Sequence, residues 1–398
     1  MNLLANFLVV SFVALFSAPQ ACAQAEWLNV MDSGAVGNGT TDDTIAIMAT
    51  FAALPSRGGV VYFPPGRYLI TSKLVLPDRR VSIVGDGRGI STLLWTSVDG
   101  GLVYQPTIDA SPSGSDDGRE LSVSDITLRT TRAGGGSAIR AAWPETPGRV
   151  ASTLNLNNVE IRGSSFSAYW SGGLDLTGAK FSKVSNLSIL GQSGTPSAMS
   201  FGVKIESNGS SSEFYLDQLN VTFAYRGLWV TGGTAGAGNG PEGVYLEQST
   251  LLSVNYGVDF NTGSSEPLLL VRGSHIAAFA QGIRSNALQS IVSDNLIYHR
   301  SAGAVGVFIH GLATDVAIQG NHFMSIRDPE TSTSVVVDGP AKRVSVLNNT
   351  FNTATTGIWL RTGSSDSFVA QNVYSNVANK VVNSGTNNVI LGWGAASP

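Results

Sequence analysis

The chain has 398 residues, a formal net charge of -4, 13% charged residues, 46 glycines and one cysteine. A slightly acidic chain without basic runs argues against nucleic acid or an anionic membrane surface as partner. The length exceeds an ordinary single core, yet solenoids reach it as one domain, and few charges with abundant Gly, Ser, Thr and Asn suit many strands joined by tight turns.

Residues 3–18 form an apolar run followed by small residues, the pattern of a secretory signal peptide over 1–25 with cleavage after Ala23 or Ala25. The run is short for a membrane span, so the mature protein is expected free of the membrane, as a secreted, periplasmic or cell-surface protein. Cleavage would also remove Cys22 and with it any thiol or disulfide chemistry. Residues 26–398 then read as one domain, with 26–95 as its cap and first coils.

TIAIMATFAAL (44–54) places Ile45, Met48, Phe51 and Ala52 at helical spacing, and Asp42 and Asp43 read as its caps. GGVVYFPPGRYLI (58–70) reads as two strands around a Pro-Pro-Gly turn. Gly85, Gly87 and Gly89 lack the following helix that a dinucleotide site requires. With DSGAVGNGTTDDT, these stretches resemble the rhamnogalacturonase/epimerase-like N-terminal segment of the pectate-lyase-like superfamily. The resemblance implies an all-β fold, a single-stranded right-handed parallel β-helix with a short N-terminal capping helix. It implies no single reaction, since that superfamily includes lyases, hydrolases, epimerases, fructotransferases and tailspikes.

From residue 120 onward the repeat shows in the residues themselves. In GVYLEQSTLLSVNYGVDFN (243–261), Leu246 and Leu251 are apolar and five apart. The same pair recurs as Val123/Leu128, Leu156/Ile161, Val184/Ile189, Leu216/Val221, Val271/Ile276, Val292/Ile297, Ile318/Phe323, Val346/Phe351 and Val369/Tyr374. Such a period with variable insertions marks a solenoid, here of about ten coils. Three residues after the first apolar position stand Ser249, Ser274, Asn295, Asn321, Asn349 and Asn372, expected as a buried ladder of hydrogen bonds between coils. Further on, Gly227, Gly257, Gly282 and Gly357 each precede an apolar residue and read as corners needing glycine's conformational freedom. The stretches 133–149, 192–200 and 231–242 read as protruding loops.

Alternation along strands about 4.8 Å apart predicts outward columns. One column holds Asp217, Glu247 and Arg272, with Tyr215 and Tyr245 two residues before the acids. A carboxyl pair on adjacent coils suits acid/base work on a glycosidic bond, and the tyrosines suit sugar rings. The plainer reading is a cross-strand ion pair of Glu247 with Arg272. Another column carries Trp229, Asp259, Arg284, Phe308 and Trp359, flanked by His310, Asp338 and Arg361. Its outward rings need a cover, which a glycan, a loop or a second subunit of a homotrimer would supply. Asp259 and Arg284 are expected to pair. His299 and Arg300 would suit lyase chemistry, the cation holding a uronate carboxylate while a base removes the adjacent proton.

No spacing suggests a transition-metal site, and the scattered acids do not specify calcium (Ca2+), so no cofactor is required. The polygalacturonase motifs survive only as Asn261-Thr262-Gly263 and Ile309-His310-Gly311, so the resemblance transfers no catalytic residue. The reading is a polysaccharide-processing enzyme, hydrolase or lyase, acting on a poly- or oligosaccharide. Its rival is a non-catalytic glycan-binding or structural surface protein.

Overall fold

The computed structural model describes residues 27–107, 119–145, 152–209, 211–325 and 331–392; the expected signal peptide lies outside them. The chain winds into a right-handed parallel β-helix, and among the described residues 32 strands form one continuous hydrogen-bonded sheet. Each full coil has three faces, called first, second and third in chain order.

The apolar pairs set the register. Val123, Leu156, Val184, Leu216, Leu246, Val271, Val292, Ile318, Val346 and Val369 are successive parallel partners on the first face. Their companions, from Leu128 to Tyr374, stack equally in register on the second face. Most of these side chains are fully buried, each worth roughly 1.5–3 kcal/mol of hydrophobic stabilisation. No coil could bury them alone; the stack does.

Between these two faces the chain bends through one left-handed residue. Gln248, Gly273, Asp294, Gly320 and Asn348 have φ of 46, 60, 58, 67 and 55°. The next residue is the ladder position. Asn321 Oδ1 accepts the backbone N–H of Asn295 at 3.0 Å, and Asn349 Oδ1 accepts that of Asn321 at 2.9 Å. Each amide also donates, as Asn321 Nδ2 does to the Val292 carbonyl and to Asn349 Oδ1, both at 2.9 Å. Ser249 and Ser274 continue the ladder through their hydroxyls. The buried bend thus keeps its polar groups bonded.

The glycine corners arise from a different cause than the expected left-handed backbone. Gly227, Gly257, Gly282 and Gly357 lie outside the positive-φ residues. A Cβ on Gly257 would sit 2.4 Å from the Gly282 carbonyl oxygen, and one on Gly282 2.5 Å from that of Gly306. Close approach of successive coils, and not conformational freedom, selects glycine here.

The capping helix spans Thr44–Ala52 and buries Ile47 and Phe51; of the expected face Phe51 and the half-buried Met48 pack on the core, while Ile45 is 83% exposed. Asp42 caps it by accepting the Thr44 N–H at 3.0 Å. Asp43 instead turns back and accepts the N–H groups of Val36 and Gly37, so only one of the two acids caps. The stretch expected as a loop over 133–149 contains the strand Ser137–Ala142, which pairs with Leu102–Tyr104 and Gly172–Thr177.

Candidate functional site

On the first face, register makes Tyr215 the neighbour of Tyr245, Asp217 of Glu247, and Glu247 of Arg272. Arg272 forms an ion pair with Glu247, so the second carboxylate of the expected acid pair carries its own counter-ion. The two tyrosine rings stack on each other, centroids 4.9 Å apart and 9° between planes. The faces these rings share are closed to a sugar, while Tyr215 stays exposed on its other side. The Tyr215 hydroxyl donates to Glu213 Oε2 at 2.6 Å, and this bond to a carboxylate pushes its pKa up to about 12.

His299 and Arg300 lie on the second face and do not join that group. His299 is 2% exposed, and both its ring nitrogens are buried without a hydrogen-bond partner. Burial drives its pKa down to about 4, so it is a neutral core residue closed to substrate. Arg300 donates to Ser253 Oγ at 3.1 Å and lies over the Phe279 ring. Alternation could have placed His299: it follows the inward Ile297 by two residues.

The third face gathers more chemistry. After each glycine corner one inward apolar residue precedes an outward one, giving parallel partners Asp175, Lys204, Trp229, Asp259, Arg284, Phe308, Val336 and Trp359. Asp259 is buried at 1% exposure between two guanidiniums. Arg226 Nε approaches its Oδ2 at 2.7 Å, and Arg284 Nη1 its Oδ1 at 3.6 Å. The expected Asp259–Arg284 pair is therefore present, but the closer partner is Arg226. Sequence reasoning missed it because Arg226 precedes the inward Leu228 by two residues, and the corner at Gly227 turns it outward.

Arg284 also donates its Nε hydrogen to His310 Nε2 at 3.2 Å. Burial, reinforced by the Arg284 charge, drives the His310 pKa down to about 4. The imidazole is thus neutral, with Nε2 as acceptor and the proton on Nδ1. Asp338 and Arg361 lie 3.6 Å apart beside it. Further along, Lys204 bridges Asp175 at 3.5 Å and Glu206 at 2.6 Å.

The outward rings have cover from this chain. Arg226 lies 4.5 Å from the Trp229 ring centre, Arg361 4.4 Å from that of Trp359, and Phe308 stacks on His310 at 5.3 Å. Cation–π contact of this kind offsets the exposure of half-buried rings. The result is a strip along several coils in which Lys204, Arg226, Arg284 and Arg361, each already paired with a carboxylate of this chain, lie side by side with the neutral His310 and aromatic surface. Cations there can bind carboxylates, rings can support sugars, and an unprotonated imidazole can take a proton. Among the described residues no three His, Cys, Asp or Glu side chains converge as a metal site.

Residues 27–284 match a family model described as rhamnogalacturonase A/epimerase, pectate lyase-like. The mannuronan C5-epimerase AlgE6 of Azotobacter vinelandii is 36% identical over 113 residues, spanning 26% of this chain and 12% of that protein. The chain thus matches only a small part of that relative's length. The solved A-module of AlgE6 superposes with TM-score 0.59 and 19% identity, covering 92% of this chain and 98% of its own. The DFA-IIIase of Arthrobacter chlorophenolicus A6, solved with DFA-III, gives TM-score 0.61 at 13% identity, covering 93% of this chain and 99% of its own. At these identities the structural likeness establishes the β-helix.

Proposed function

The chain belongs to the rhamnogalacturonase A/epimerase, pectate-lyase-like family, and from that premise we propose that it modifies an acidic polysaccharide on its third face. The reaction begins by removing the proton next to a uronate carboxylate. The observation that carries this reading is the hydrogen bond from Arg284 to the neutral His310. The partial match to a mannuronan C5-epimerase supports the substrate class, and the apolar run at 3–18 supports export.

A uronate carboxylate entering the strip offers Arg284 a better acceptor than an imidazole nitrogen, because charge-assisted pairs are the stronger ones. Drawing Arg284 onto the substrate frees His310 Nε2 and removes one of the two causes that depress its basicity. Nε2 then takes the proton from the carbon beside the carboxylate and becomes imidazolium. The electron pair spreads into the carboxylate, where Arg284 and Arg226 offset the growing charge. A water on the opposite side then delivers a proton and inverts that carbon, and the imidazolium gives its own proton back to solvent. Departure of the neighbouring glycosidic oxygen, which takes the proton from the His310 imidazolium, instead cleaves the chain and leaves a double bond.

Incubation with acidic and neutral polysaccharides tests this. Inversion read by proton NMR, or the ultraviolet absorbance of an unsaturated uronate, is the expected product signal. His310→Gln and Arg284→Gln should each abolish it in folded protein; retention of turnover by both sinks the reading.

The register that makes Asp217 and Glu247 direct neighbours favours a second reading, glycoside hydrolysis on the first face with Arg272 holding one acid. New reducing ends without ultraviolet absorbance, lost in Asp217→Asn and Glu247→Gln, would support it. Binding with no product from any substrate would favour the non-catalytic rival.

A further inference from the structure

Where the second face turns into the third, Arg162, Ser164, Ser165, Phe166, Ser193 and Phe223 line a cavity of about 320 Å³. That is the lower end of the size range of small-ligand sites, roughly 300–1,000 Å³. Its walls are held by close backbone crossings. A Cβ on Gly163 would lie 1.7 Å from the Ala168 carbonyl oxygen, and one on Gly191 1.9 Å from that of Phe223. The cavity is therefore shaped by main chain, which cannot collapse as side chains do.

Two features on its rim point to a ligand. Phe166 is 89% exposed, a flat apolar ring among serine hydroxyls, which is costly unless something covers it. Arg162 is in register with Arg129 on the adjacent coil, and both lean on the same carboxylate. Arg162 Nη1 lies 3.3 Å from Glu160 Oε1, and Arg129 Nη2 4.0 Å from Glu160 Oε2. A third guanidinium, Arg88, feels Glu160 and Asp125 and donates to Asn186 Oδ1 at 3.1 Å. Three guanidiniums thus face two carboxylates. The Nε atoms of Arg88, Arg129 and Arg162 are all buried without a hydrogen-bond acceptor, so the cluster, which reaches the cavity through Arg162 alone, is short of negative charge and of acceptors.

We infer that this cavity is a second glycan site, taking an anionic sugar unit with its ring against Phe166 and its carboxylate or sulfate against Arg162. The residues belong to neither the third-face strip nor the Asp217 column. Only the choice of an acidic polysaccharide as natural ligand rests on the proposed function. A site of this kind would hold the polymer beside the catalytic strip and raise its local concentration.

Calorimetric titration with a uronate tetrasaccharide, a sulfated neutral tetrasaccharide and its unsulfated parent tests the inference. The anionic ligands should bind the wild-type protein more tightly than the neutral one, and the tighter of the two identifies the anion. Arg162→Gln should weaken anionic binding about tenfold or more. Phe166→Ala, at a position too exposed to disturb the core, should weaken it about threefold or more. Neither substitution should abolish turnover of a short substrate. If the neutral ligand binds as tightly as the anionic ones, or if both variants keep wild-type affinity, the inference is overturned. Binding that depends on Arg162 in a protein that turns over no polysaccharide would refute the catalytic reading and leave this site standing.

Discussion

Arg284 places its Nε hydrogen on His310 Nε2 across 3.2 Å while its Nη1 lies 3.6 Å from Asp259 Oδ1. One guanidinium therefore controls both a buried acid and a neutral base. Its charge is the second cause, after burial, of the low His310 pKa. An NMR titration should place the His310 midpoint near 4 in the wild-type protein and clearly higher in Arg284→Gln. An unchanged midpoint would show that the arginine does not tune the imidazole. If His310 is the base, His310→Gln should lower kcat about a hundredfold or more.

Asp259 is the counter-ion for Arg226 and Arg284 at once. Asp259→Asn leaves two half-buried guanidiniums facing each other, and breaking a buried pair this way costs about 3 kcal/mol or more. Arg226→Met should cost less, because Arg284 still serves the acid and a methionine can pack on Trp229. Chemical denaturation of the two variants checks this order, and equal losses would mean that Asp259 is not the hub of the cluster.

The inward register was legible residue by residue, because burial constrains every inward position and the spacing of five survives insertions between coils. The Asn295–Asn372 ladder was legible for the same reason. The outward chemistry was not, since an outward side chain is constrained only by neighbours on adjacent coils. Glu247 and Arg272 read from the column both as part of a site and, more plainly, as an ion pair; the pair is present, and the column alone could not choose between the two. Arg226 escaped because the corner at Gly227 breaks the alternation that the columns assume. His299 and His310 differ by parity alone: one follows Ile297 by two residues and points inward, the other follows Ile309 by one and points outward.

His299 makes a separate prediction about acid. Burial lowers its folded pKa from 6.5 to about 4, so between those values the unfolded chain binds more protons than the folded one. Its contribution is fully present above pH 6.5 and is lost as pH falls through about 4. The urea midpoint should therefore drop between pH 7 and 4.5. In His299→Leu the drop should be smaller, and stability at pH 7 should rise or hold, since two unpartnered buried nitrogens are removed. An equal drop in the variant would reject His299 as a source of acid sensitivity.

The glycine corners can be separated from ordinary turn glycines. Gly257→Ala would bring a methyl 2.4 Å from the Gly282 oxygen and 2.5 Å from Ile276 Cγ2, costing about 1–3 kcal/mol through overpacking. Gly273, with φ of 60° and nothing within 4 Å of a built Cβ, should accept Asn at a small cost, because Asn tolerates the left-handed region. Thermal unfolding of the two variants should therefore separate widely. Equal destabilisation would mean that conformation, and not coil contact, selects glycine at both.

The ladder supplies the sharpest stability test, because its cost depends on position. Asn321 is fully buried. It accepts from the Asn295 backbone and amide, and donates to Val292 and Asn349. Asn321→Ala leaves donors of Asn295 and the Val292 carbonyl buried without partners. At about 1–3 kcal/mol for each unsatisfied group, the loss should reach about 3 kcal/mol or more. Asn372, at 7% exposure, closes the ladder: its side chain accepts from Asn349 and donates to Val346. Water can reach the groups stranded there, so Asn372→Ala should cost about half as much. Asn321→Leu separates bonding from volume, since it fills the space yet restores no bond and should remain as unstable as the alanine variant. If denaturant midpoints instead show Asn321→Leu near wild type, the ladder packs the bend without bonding it.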